Sequence, residues 1–212
     1  MTPDFIIKVC GMCHESNIRE VAALSPTMMG FIFHSQSPRY AERLAPEIVK
    51  TLPSGISPVG VFVNTPIMEV DRVCQRYGIS TVQLHGDESP DDCATLRSMG
   101  YRVIKTFGIS DTVDWRAISR YENVADMFLF DTKTASRGGS GKKFGWHLLS
   151  DYPSEIPYIL SGGISASDCD AITHARLPKM AGVDLNSRFE TSPGVKDVQR
   201  LHSFIVSLRK SI

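Results

Sequence analysis

The residues able to move protons or hold anions in this sequence fall at the ends of apolar runs. Cys10 closes FIIKVC, His85 stands near the end of TVQLHG, and Asp131 is the first charged residue of MFLFDT. Arg39 follows MMGFIF within SPRY, Gly162 and Gly163 close YILSGG, and Asp184, Asn186 and Ser187 lie in GVDLNS. Thiol, imidazole and carboxyl groups serve as general acids and bases. Glycines and small polar residues in neighbouring loops can turn backbone N–H groups toward a phosphate. Residues two apart on a strand share a face, so Lys8 aligns with Cys10 and Gln83 with His85. A nearby ammonium favours the thiolate of Cys10 and burial disfavours it, and the sequence leaves that contest open. Each residue also has a plainer reading. A lone cysteine is usually a small buried hydrophobe, an aspartate at a strand end often caps the next turn, and a Gly-Gly pair most often makes a tight turn. The plain readings do not explain why all of these residues fall at strand ends.

Eight β-rich runs carry them: 5 to 10, 28 to 33, 57 to 63, 81 to 86, 102 to 108, 127 to 132, 158 to 163 and 182 to 187. Segments of helical periodicity lie between, clearest at Ile67, Val70, Val73, Cys74 and Tyr77 and at Val198, Leu201, Ile205, Leu208 and Ile212. Thr65-Pro66 and Ser89-Pro90 read as helix starts, each a capping hydroxyl followed by proline in the first turn. AERLAPEIVKTLPSG reads as a helix ended by proline and glycine. Alternating strands and helices predict parallel pairing with right-handed crossovers, and eight such units close most economically as one (β/α)₈ TIM barrel of eight parallel strands over residues 1 to 212. A doubly wound open sheet is the alternative, with edges left to cover. In a barrel, catalytic residues sit at the C-terminal strand ends, and the loops after strands seven and eight commonly hold phosphate. The segment 134 to 143, TASRGGSGKK, reads as a mobile loop between strand six and a helix.

The 212 residues are 42% hydrophobic and 22% charged, with 23 basic and 23 acidic side chains. This excludes a disordered chain and gives no general field to attract nucleic acid or anionic lipid, so any anion must be held locally. No apolar run is long enough to span a membrane, no signal-peptide pattern opens the chain, and five scattered cysteines point to free thiols. A cytoplasmic protein is expected, with no membrane or nucleic-acid partner. GGSGK lacks the P-loop spacing, Cys10 and Cys13 form a solitary C-x-x-C, and metal-site motifs are missing, so neither metal nor redox chemistry is expected.

KVCGM (8 to 12), GFIFHSQSPRY (30 to 40), VGVFVN (59 to 64), VQLHGDESP (82 to 90), IKTF (104 to 107), LFDTK with GGSGKKFGW (129 to 146), ILSGGI (159 to 164) and GVDLNSRFETSPGVKD (182 to 197) together resemble the phosphoribosylanthranilate isomerase family of tryptophan biosynthesis. The resemblance runs collinearly from residue 8 to the C-terminal helix. It implies a cofactor-independent Amadori rearrangement of N-(5-phosphoribosyl)anthranilate to 1-(2-carboxyphenylamino)-1-deoxyribulose 5-phosphate, the third step from chorismate. It also implies Cys10 as general base, Asp131 as general acid, and Arg39 against the anthranilate carboxylate. Gly162, Gly163, Asn186 and Ser187 are expected at the phosphate, with His85 and Asp184 as further substrate-binding positions, and a monomer or homodimer as the working form. The chain departs from the family at Arg188, where glycine is common, and Cys13 places a second thiol near the first. The related isomerase of histidine biosynthesis pairs two aspartates, which Cys10 argues against. A barrel that only binds phosphosugars would have no need of both Cys10 and Asp131.

Overall fold

Eight strands pair in chain order, every pair parallel: β1 (Ile6–Cys10), β2 (Met28–Ile32), β3 (Ser57–Phe62), β4 (Thr81–Leu84), β5 (Arg102–Ile109), β6 (Met127–Thr132), β7 (Tyr158–Leu160) and β8 (Met180–Leu185). β8 pairs back onto β1, with Lys8 opposite Asp184, and this contact closes the barrel. The computed structural model describes residues 5–133 and 143–212. Helices α1 (Glu15–Ala22), α2 (Pro46–Lys50), α3 (Ile67–Tyr77), α4 (Pro90–Ser98) and α5 (Trp115–Ser119) follow the first five strands. α6 (Cys169–His174) follows β7, and α7 (Val198–Ser211) ends the chain. Between β8 and α7 a short antiparallel hairpin is inserted, β9 (Glu190–Ser192) and β10 (Val195–Lys196).

Alternation along the strands divides the side chains into two cores. Ile7, Val9, Val82, Leu84, Phe128, Phe130, Val183 and Leu185 are buried in the larger cluster, which includes Val70, Val73, Cys74 and Tyr77 of α3 and Leu201, Phe204, Ile205 and Leu208 of α7. The opposite face of the strands supplies a separate cluster of Cys10, Met28, Val59, Val61, Ile104, Met127, Leu129 and Ile159. Burial of each such large apolar side chain contributes about 1.5–3 kcal/mol, so the closed sheet is favoured from outside and, except at β4 and β8, whose inner faces carry Gln83 and Asp184, from inside as well. The amphipathic repeat of α3 thus becomes its inward stripe, as its spacing predicts.

Local signals met their expectations unevenly. At Ser89 the hydroxyl accepts from Asp92 N at 3.2 Å and the Asp92 carboxylate accepts from Ser89 N at 2.7 Å, a reciprocal cap on α4. At Thr65-Pro66 the expected cap is not formed. Pro66 itself takes the position before the helix, α3 starts at Ile67, and the Thr65 hydroxyl points back to the Val63 carbonyl at 3.5 Å. Most of the expected loop, 134 to 142, lies outside the described residues. Where a helix was expected after it, the described residues carry one 3₁₀ turn, Trp146–Leu149.

Candidate active site

Cys10 ends β1 opposite Gly30 of β2 and is nearly enclosed. A Cβ at Gly30 would stand 2.7 Å from Cys10 Sγ and 3.2 Å from Lys8 Nζ, so glycine there lets both groups share the space against β2. Lys8 is fully buried and donates to Asp184 Oδ1 at 2.8 Å, and Ser161 Oγ donates to Asp184 Oδ2 at 3.3 Å. Burial opposes the charge on Lys8, but Asp184 and Cys10 raise its pKa above the ordinary lysine value. The contest left open at Cys10 is decided by burial. Desolvation raises the thiol pKa above 9.0, and the Lys8 ammonium only limits that rise.

Asp131 stands near the end of β6, in register with Gly108 of β5. Its Oδ1 accepts from the Thr132 N–H at 2.8 Å, and its Oδ2 lies 3.5 Å from His85 Nε2. Its side chain is 21% exposed, and its surroundings are more polar than an apolar strand end would provide. Gln83, on the same face of β4 as His85, places its Nε2 3.2 Å from His85 Nδ1 and 3.2 Å from Thr106 Oγ1. With the amide donating to Nδ1, a neutral His85 carries its hydrogen on Nε2, toward Asp131. The loop that holds His85 is fixed from below. Glu88 accepts from the N–H groups of Asn64 and Gly86 and from the buried Lys105, whose ammonium also donates to the Gly86 carbonyl at 2.8 Å.

Gly162 and Gly163 both have positive φ, +92° and +66°. At Gly162 a Cβ would stand 2.7 Å from Thr132 N and 3.2 Å from Asp131 Oδ1, so the turn after β7 packs directly against Asp131. Ser187 opens a 3₁₀ turn, Ser187–Phe189, just past β8. Asn186 is partly committed, because its Oδ1 accepts from Lys196 Nζ at 2.7 Å. Arg188 takes the middle of that turn with negative φ, so the local backbone does not demand the glycine expected there.

Arg39 lies on the same rim, its side chain crossing Gly11 just beyond Cys10. Its guanidinium is held by a carboxylate of the protein itself. Nε and Nη2 donate to the two oxygens of Glu190 at 2.8 and 2.6 Å, so the Nε/Nη2 edge is already filled and the donors outside that pair are the two N–H of Nη1 and the second N–H of Nη2. Glu190 and Lys196 carry no role in the sequence reading. Both stand in RFETSPGVKD, but nothing in that string shows that β9 and β10 fold back to face the loop after β2. Cys13 is directed at the Gly194 carbonyl of this hairpin, 3.9 Å away.

Three comparisons bear on this arrangement. A family model described as N-(5'phosphoribosyl)anthranilate (PRA) isomerase matches residues 7–207. The chain belongs to this family. A relative named N-(5'-phosphoribosyl)anthranilate isomerase, from Parabacteroides distasonis, is 48% identical over 202 residues, covering 94% of this chain and 91% of its own. The crystal structure of phosphoribosyl anthranilate isomerase from Thermotoga maritima is similar with a TM-score of 0.84 and 31% identity, covering 97% of this chain and 99% of that one. A second family structure, in complex with reduced 1-(o-carboxyphenylamino)-1-deoxyribulose 5-phosphate, has a TM-score of 0.80 at 27% identity, covering 97% of this chain and 99% of its own.

Proposed function

We propose that this chain catalyses the Amadori rearrangement of N-(5-phosphoribosyl)anthranilate, using its own acid and base and no cofactor. The observation that carries the reading is the match to the isomerase family over residues 7–207, in a chain whose Cys10 and Asp131 both stand at the C-terminal end of one closed barrel. Asp131 gives a proton to the furanose ring oxygen as the C1–O bond breaks and the anilino nitrogen forms a C=N⁺ bond. The iminium acidifies the hydrogen on C2. Cys10, as thiolate, takes that proton, and the C2–H electrons flow to nitrogen to give the enamine, which tautomerises to the ketone. Lys8 and Asp184 set the charge around the thiolate, while Gln83 orients His85 beside Asp131.

The substrate phosphate sits at the backbone of Gly162, Gly163, Asn186 and Ser187, and Arg39 offers Nη1 to the anthranilate carboxylate. A cytoplasmic monomer or homodimer of one barrel domain, acting on a small phosphosugar, completes this reading; separately, the described residues include no helix long and apolar enough to cross a membrane. The direct test is to add freshly made phosphoribosylanthranilate and follow the loss of its fluorescence. No acceleration above the uncatalysed decay would overturn the assignment.

A further inference from the structure

The hairpin of β9 and β10 brings a buried three-charge cluster to the rim beside Cys10. The side chains of Lys196, Glu190 and Arg39 are 0%, 4% and 11% exposed. Glu190 Oε1 accepts from Arg39 Nε and from Lys196 Nζ, the latter at 2.6 Å, and its Oε2 accepts from Arg39 Nη2. The hairpin is anchored to α1 by Asn17, which accepts from Lys196 N at 2.7 Å and donates to the Lys196 carbonyl at 3.0 Å. Burial disfavours the charge on Glu190, yet Arg39 and Lys196 hold its carboxyl below the ordinary range, so it faces both cations ionised. With Lys196 protonated, two cations and one anion leave one positive charge in surplus; burial lowers the Lys196 pKa below the ordinary lysine value and Glu190 opposes that fall.

We infer that Glu190, fixed by Lys196, is a positioning residue for substrate specificity: it holds Arg39 by two bonds and leaves Nη1 and the surplus charge for the ring carboxylate. This rests on the reading of Arg39 as the carboxylate's partner. A free arginine would have to be immobilised on binding, and immobilising one long side chain costs about 3- to 10-fold in affinity. Here the fold has immobilised it beforehand.

The test uses Glu190→Asp, which keeps the charge but draws it back by one methylene, and Glu190→Gln, which keeps the length and removes the charge. Both are compared with wild type on phosphoribosylanthranilate and on the N-phenyl analogue without the ring carboxylate. Expected for both variants is a KM raised about 3- to 10-fold for the carboxylated substrate, with kcat and the analogue's KM within about twofold of wild type. In an Arg39→Lys background neither change should add to the loss. If charge balance rather than placement governed, Glu190→Gln would lower KM by freeing two cations, and that result overturns the inference. A fall in thermal midpoint with the ratio of the two KM values kept marks a purely structural role and overturns it too. If Arg39→Lys alone weakens both substrates equally, the underlying reading of Arg39 fails instead.

Discussion

Replacing Lys8 by methionine removes a fully buried ammonium while keeping most of its volume, and should disarm Cys10 without touching it. Lys8 Nζ and Cys10 Sγ lie within 3.2 Å and 2.7 Å of one point against Gly30. Those two distances put them less than about 6 Å apart, and at an effective dielectric of about 20 their attraction is about 3 kcal/mol, which favours the thiolate. Burial has already raised the Cys10 thiol above 9.0, and loss of the opposing charge raises it further. Losing about 3 kcal/mol of that attraction should lower the thiolate fraction at fixed neutral pH, and with it kcat/KM, about 100-fold, and the pH profile should move to the alkaline side. Alkylation of Cys10 by iodoacetamide, in a background lacking the two partly exposed thiols (Cys13→Ala, Cys169→Ala), should slow in parallel. The change also strands the Asp184 carboxylate, for which about 3–5 kcal/mol of stability is at risk. Lys8→Gln removes the charge but keeps a hydrogen-bond donor for Asp184, and so keeps the fold testable. An unshifted pH profile and alkylation rate in a folded variant would refute the argument.

Arg39→Lys should lower kcat/KM for phosphoribosylanthranilate about 10- to 100-fold and spare the analogue lacking the carboxylate, as steady-state kinetics would show. It should also lower the thermal midpoint, because Glu190 then keeps only part of its partner. Inorganic phosphate should compete weakly with substrate at the turn of Gly162, Gly163 and Ser187, and inhibition absent at high phosphate would move the site elsewhere. Glu190 has a folded pKa below its ordinary 4.5, so its stabilisation is complete above that pH and is lost as pH falls through the lowered value. Thermal midpoints of wild type and Glu190→Gln should therefore differ at neutral pH and draw together as pH falls below 4.5; a gap that stays constant throughout the acid range contradicts this.

The barrel was legible because each strand announced itself as a short apolar run, and six of the eight runs ended at or near a residue able to do chemistry or to turn toward an anion. Cys10 and Asp131 could be picked out in this way, and the facing of Lys8 and Cys10 followed from strand periodicity alone. Two things were not legible. Whether burial or Lys8 dominates at Cys10 depends on depth inside the barrel, which no local spacing records. The pairing of Arg39 with Glu190 joins residues 151 apart in the chain through a hairpin of three- and two-residue strands, too short to leave a periodic signal. Thr65-Pro66 shows the opposite failure. The motif matched a helix start, but the chain put proline one position earlier and left the helix without a threonine cap.

The central claim is that Cys10 and Asp131 divide the proton transfers, and single-turnover loss of phosphoribosylanthranilate fluorescence tests it most directly. Cys10→Ala and Asp131→Asn should each slow the chemical step about 10²- to 10⁴-fold while substrate affinity stays within severalfold of wild type. Cys13→Ala should leave the rate nearly unchanged. A Cys10→Ala or Asp131→Asn enzyme that turned over near the wild-type rate would contradict the account.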